Sequence, residues 1–297
     1  MNAPGEPHPV GLPEDSRVPG RGRLAGRADY ERYFAIVRGR PDLLDWTRTC
    51  LDLQDQVVGD LARTGLDPAE QDRLRSGLAA VNRAALTAWA GTTPPGDREP
   101  DETTPHPGLH RWKRGHQLFH LLLVQMCTTL EGALDPLGAA QWSRLARLVD
   151  DVTVLLDAAT AAMSYAASFA PDAYRDEIRP TMEPPHLPPG LSGTLNAEHR
   201  AMTRLLRDLL KQLTATRDDP GSDPLPACLD EAVERLRAAQ RRNWDNHARI
   251  CSRCVPDGSS LLRSIRTGSQ PKPPLDPAGK PPAHSPGRDA TADGNHE

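Results

Sequence analysis

The chain has 297 residues, enough for one large or two small domains with a buried core. A net charge of −4 leaves no excess of basic groups for phosphates, which argues against general nucleic-acid binding. No run of about eighteen apolar residues is present to span a membrane. The opening MNAPGEPHPVGLPEDSRVPGRG has no apolar core of a secretory signal, so a cytoplasmic location is expected. Five cysteines, an odd number, then fit reduced thiols better than a disulfide framework.

Residues 1–27 are rich in Pro, Gly and Arg, and residues 268–297 are nearly free of large apolar side chains. Neither end can bury enough surface to offset its ordering entropy, so both are expected to be disordered tails around a folded domain at 28–267. Six long helical patterns follow in chain order. In PDLLDWTRTCLDLQDQVVGDLART, Leu44, Leu51, Val58 and Leu61 fall on one side. LDPAEQDRLRSGLAAVNRAALTAWAG has Asp67 as N-cap, Pro68 at the first helical position and Gly91 as a stop. HPGLHRWKRGHQLFHLLLVQMCTTLEGAL is the most apolar segment. AAQWSRLARLVDDVTVLLDAATAAMSYAASF, NAEHRAMTRLLRDLLKQLTATR and LPACLDEAVERLRAAQRRNWDNHARICSRC complete the set. Nothing alternates at period two, so the expected fold is an all-α helical bundle.

The last of these helices carries chemistry. Val233, Leu236, Gln240, Trp244, His247, Cys251 and Cys254 recur at three or four residues and form one stripe, with Arg235, Arg241, Arg242 and Arg249 on the outer face. The stripe is apolar early and holds His247 and two thiols late. A buried core His with packed thiols is one reading. A zinc or iron–sulfur site on His247, Cys251 and Cys254 with a fourth ligand from elsewhere is another, although C-x-x-C zinc sites usually sit on a turn. In the third, His247 ligates haem iron and Cys251 bonds the porphyrin rim. Ring centre and rim lie roughly 6 Å apart, close to an i, i+4 separation on a helix. The usual C-x-x-C-H attachment is absent.

The apolar helix favours the third reading. Trp112, His116, His120, Leu123 and Cys127 form a stripe flanked by Phe119, Met126 and Leu130. Such a wall covers a macrocycle, while an imidazole on it handles protons at bound oxidant. No Glu follows His116, so the H-E-x-x-H protease pattern fails. His116 lies nearer the polar RWKR end and is expected to be the catalytic base. His120, deeper in the apolar run, is expected to pack or support it. Further on, IRPTMEPPHLPPGLSG holds seven prolines or glycines, which stop both neighbouring helices. Arg179 at its start is a natural two-pronged carboxylate clamp, and His186 within it is expected to face solvent.

The stretch from Ser164 to Met202, SYAASFAPDAYRDEIRPTMEPPHLPPGLSGTLNAEHRAM, together with HQLFHLLLVQM, resembles the tryptophan 2,3-dioxygenase superfamily of histidine-ligated haem-dependent aromatic oxygenases. HARIC is similar to the H-x-x-x-C of its 3-methyltyrosine hydroxylase branch, which carries haem through a single thioether and two axial histidines. The resemblance covers about residues 105–255. It departs at Val124, which precedes Gln125 where the dioxygenases have a His-Gln pair. It implies that the bundle encloses haem, with His247 and His199 as iron ligands, Cys251 as thioether donor and Trp244 beside the cofactor. His116 or His120 would be the distal acid–base group. Arg179, Ser192, Gly193 and Thr194 would hold the substrate's carboxylate and ammonium. The implied activity is ring hydroxylation of an aromatic amino acid, tyrosine or a methylated tyrosine, with hydrogen peroxide or dioxygen, in a natural-product pathway. The partner is that small molecule, and a homodimer is in keeping with the superfamily. A non-catalytic haem or metal sensor built on a helical bundle is the alternative.

Overall fold

The computed structural model describes residues 23–36, 43–87, 106–219 and 224–254. Every regular element among them is helical: α1 (Arg27–Tyr33), α2 (Leu43–Asp60), α3 (Pro68–Thr87), α4 (Pro107–Gly138), α5 (Trp142–Ala166), α6 (Pro171–Ala173), α7 (Ala197–Asp218) and α8 (Ala227–Cys254). The all-α expectation holds and the six long helices are in place. Most of both expected tails, and Gly91, lie outside the described residues. Residues 23–27, assigned to the first tail, are described: Ala25 N–H donates to the Pro189 carbonyl at 2.8 Å, and Arg23 pairs with Asp29 at 2.9 Å.

Two details of the sequence reading change. α1 carries no long periodic pattern, yet it packs Tyr30, Tyr33 and Phe34 into a core. In α2 the inward residue is Val57, while Val58 is 40% exposed. A strict seven-residue spacing drifts by about 20° per heptad on a straight helix, and Gln54, Val57 and Leu61 follow the true face. The Leu44 side chain lies outside the described residues. The α3 start is as expected and stronger. Asp67 Oδ1 accepts from Glu70 N–H at 2.7 Å, and Glu70 Oε2 accepts from Asp67 N–H at 3.2 Å, a reciprocal capping box.

Close contacts give the topology. α4 and α5 run antiparallel at the centre, where Gly115 meets Ala166 so tightly that a Cβ on it would lie 2.4 Å from the Ala166 Cβ. α3 runs antiparallel to α5 through a like approach of Gly77 to Ala158. α8 runs parallel to α5, with Arg235 on Asp150, Arg242 on Asp157, Asn246 on Thr160 and Arg253 on the Ala167 carbonyl. These pairs keep a sequence offset of 85 or 86. α7 starts beside Phe119 and His120 of α4 and ends with Arg217 paired to Asp230 of α8. It therefore runs along α4 and antiparallel to α8. The main core includes Leu118, Leu122, Met126, Leu155, Leu206 and Leu236. A second, smaller core gathers α1, the start of α4, residues 169–195 and the end of α8.

Candidate haem site

α7 leans on α4 and α8 on α5, more than on each other. This leaves the α8 stripe covered over its first half, open from Trp244 to Cys251, and covered again at Cys254. Val233 and Leu236 are buried, whereas Trp244 is 74% exposed and His247 and Cys251 are exposed. Trp244 to Cys251 is seven residues, about 10 Å of helix. The outer arginines of α8 are all exposed, as expected.

His199 stands in the first turn of α7. Burial lowers its pKa, and the charges of His247 and Arg200 lower it further. That coupling places His199 and His247 within electrostatic reach of one another. Asn196 caps α7, its Oδ1 accepting from Glu198 N–H at 3.0 Å and His199 N–H at 3.3 Å. The Phe119 ring flanks His199 at 6.1 Å between centroids. On α8, Cys251 Sγ lies 3.7 Å from His247 Nε2 and 4.0 Å from Nδ1. Although Cys251 is exposed, partial shielding of its thiol from water and the neighbouring Cys254 raise its pKa. Cys254 itself is buried in the second core.

The distal histidines part company. His116 is half-buried, its ring stacked on Phe34 with centroids 4.0 Å apart and planes at 13°. Its Nδ1 lies 2.7 Å from the Trp112 carbonyl. A carbonyl only accepts, so neutral His116 carries its proton on Nδ1 and leaves the Nε2 lone pair available. Burial of the ring pushes its pKa down to about 4, and the Trp112 bond only partly offsets this. His120 is buried, with Nδ1 3.4 Å from Asn196 Nδ2 and 3.6 Å from Glu198 Oε2.

Trp112 and Tyr174 bridge the two groups. Trp112 sits 4.3 Å from the His116 ring and 5.6 Å from the Tyr174 ring. Burial pushes the Tyr174 phenol up to about 12; Arg179 pulls against this, and the Cys254 and Cys251 thiols add to it. Arg179 is thus close to the thiol end of α8, but its Nε is engaged by Glu183 Oε1 at 2.9 Å. Ser192, Gly193 and Thr194 form the turn into α7, where the Ser192 hydroxyl accepts from Thr194 N–H at 3.2 Å. Tyr174 sits in a one-turn π-helix (Tyr174–Ile178), which continues as a 3₁₀ turn (Arg179–Met182). Such bulges are common at functional sites. His186 is exposed, as expected.

An imidazole on each of the antiparallel helices α7 and α8, with a thiol one turn beyond the second, is the donor set a haem would need. A ligating imidazole must be neutral, and the lowered pKa of His199 favours that form. Among the described residues, no three His, Cys, Asp or Glu side chains form a metal-binding group, which leaves the zinc reading without support. Sequence reasoning placed Trp112 in this wall but missed Phe34, Tyr174, Asn196 and Asn246 as parts of this region. Only Asn196 had a legible signal, an Asn immediately before a helical pattern.

A family model described as SfmD 3-methyl-L-tyrosine peroxygenase matches residues 3–242. The match takes in His116, His120, Arg179, Ser192, Gly193, Thr194 and His199, and stops short of Trp244, His247 and Cys251. No curated protein and no solved structure matches the chain.

Proposed function

The chain belongs to the SfmD 3-methyl-L-tyrosine peroxygenase family, and on that premise we propose that it hydroxylates the ring of a methylated tyrosine with hydrogen peroxide, in the assembly of a natural product. It is an oxidoreductase: one ring C–H becomes C–OH, and the second peroxide oxygen leaves as water. Family membership carries the reaction class. The donor set supports haem as the cofactor: His199 and His247 within electrostatic reach of each other, and Cys251 one turn beyond His247.

Bound haem supplies the activation of peroxide. His247 and His199 would hold the iron from opposite helices, Cys251 would bond the rim through one thioether, and Trp244 would cover the exposed edge. His116, neutral and with a free lone pair on Nε2, is the group suited to take the peroxide proton. His120, its Nδ1 facing the Asn196 amide, supports the wall behind it. Arg179 and Glu183 already form an ion pair. An incoming amino acid could divide that pair, its carboxylate on Arg179 and its ammonium on Glu183, with Ser192, Gly193 and Thr194 alongside.

The test is direct. Purified protein should show a Soret band and convert 3-methyl-L-tyrosine plus hydrogen peroxide into a product heavier by one oxygen. A colourless protein, or a haem protein that leaves the amino acid unchanged, would refute the reading.

A further inference from the structure

Asn196 is the most deeply buried polar side chain at the head of α7, with 0% exposure. Its Oδ1 takes the N–H groups of both Glu198 and His199. Because those donors can be met only by an oxygen, the amide orientation is fixed, and Nδ2 faces His120 Nδ1 at 3.4 Å. The backbone of Asn196 is tied down as well. Its N–H donates to the Gly193 carbonyl at 3.1 Å, and its carbonyl accepts from Arg200 N–H at 3.4 Å. Two elements thus meet in one carboxamide: the first turn of α7, which carries His199, and the apolar helix α4, which carries His120.

We propose that Asn196 is a positioning residue, holding the His199 imidazole in place by locking its backbone N–H to the α4 wall. The proposal rests on the haem reading, in which His199 is an iron ligand. Short polar caps are interchangeable when only the first turn needs an acceptor, and glycine at an N-cap costs a helix little stability. Asn196→Gly therefore removes the grip while leaving α7 able to form, and the extended backbone of Asn196 (φ −67, ψ 121) suits glycine. Asn196→Ser restores an acceptor for the His199 N–H.

The experiment uses the full-length haem-loaded protein and cyanide, a small ligand that competes with His199 for iron. The readouts are the Soret and spin-state spectra and the cyanide dissociation constant. His199→Ala should turn low-spin protein high-spin and tighten cyanide binding at least tenfold. Asn196→Gly should tighten it roughly fivefold, the size of one lost hydrogen bond, with a partial move to high spin. Asn196→Ser should return both values close to wild type. If His199→Ala changes cyanide binding and Asn196→Gly does not, the positioning role is overturned while the ligand role stands. If His199→Ala itself matches wild type, the ligand assignment falls, and the positioning role with it.

Discussion

His116 should make the protein acid-labile in a way that isolates one side chain. Its pKa in the folded state is pushed down to about 4 by burial, against 6.5 for the free group. Because the folded value is depressed, the unfolded chain binds a proton between pH 6.5 and 4 that the native protein refuses. Stability must then fall as pH drops through that window. At 1.36 kcal/mol per pH unit, the ceiling is about 3.4 kcal/mol, and about 2 kcal/mol is reached by pH 5. His116 is half-buried and keeps an edge towards solvent, so the realised loss lies somewhat under these figures.

Phe is the informative replacement, since it preserves stacking on Phe34 and cannot take a proton. It gives up the bond to the Trp112 carbonyl, worth about 1 kcal/mol, at every pH. In urea unfolding, wild type should be about 1 kcal/mol the more stable at pH 7.5, lose up to about 2 kcal/mol relative to His116→Phe on going to pH 5, and cross below it, because carboxylates titrate equally in both. Parallel curves over that range would show that His116 is not desolvated in the native state and would remove the physical basis for its neutrality.

In turnover, His116→Ala should lower peroxide-driven hydroxylation by about a hundredfold or more with haem retained, the usual worth of a positioned proton carrier; equal rates would move the base elsewhere. Haem should resist acid–acetone extraction from wild type and be released from Cys251→Ala; retention there with release from Cys254→Ala would reassign the thiol. Gly115→Ala would place a Cβ 2.4 Å from the Ala166 Cβ and 2.7 Å from its Cα, so thermal melts should show a loss of about 3 kcal/mol. Gly132→Ala, with nothing within 4 Å, should instead gain up to about 1 kcal/mol, and a like response of both would contradict the packing of α4 on α5.

Helix existence was legible because each long segment repeats its apolar residues at helical spacing, and Asp67 followed by Pro68 marked a start. The inward side of α2 was misjudged because a seven-residue spacing only approximates the helical period. α1 was invisible for another reason. It is one short helix whose Tyr30, Tyr33 and Phe34 gain meaning only against Trp112, His116 and Tyr174, far away in the chain. The α8 stripe was the most informative feature of the sequence. Its change of character along one face matches a change in burial, from the buried Val233 and Leu236 to the exposed Trp244, His247 and Cys251. What could not be read is the network that fixes the face. Asn246 Nδ2 donates to the Thr160 carbonyl at 3.0 Å, and its Oδ1 accepts from Ser164 and Arg249. These are polar residues with no periodic signal.

The pairing of His199 with His247 is a consequence of arm length. α7 and α8 are pinned near their junction by Arg217 and Asp230. From that pin His199 lies 18 residues back along α7 and His247 17 residues forward along α8, about 27 Å and 26 Å of helix. Equal arms in an antiparallel pair bring the two imidazoles level, although 48 positions separate them in sequence. A third constraint sets their facing. α8 is clamped in register to α5 by Arg235 and Arg242 on Asp150 and Asp157, and α7 to α4 through Asn196 on His120. One residue added to either arm would turn its imidazole by about 100° and move it away from its partner. The mutual placement of His199 and His247 therefore depends on the central α4–α5 pair, which holds both outer helices at fixed rotation.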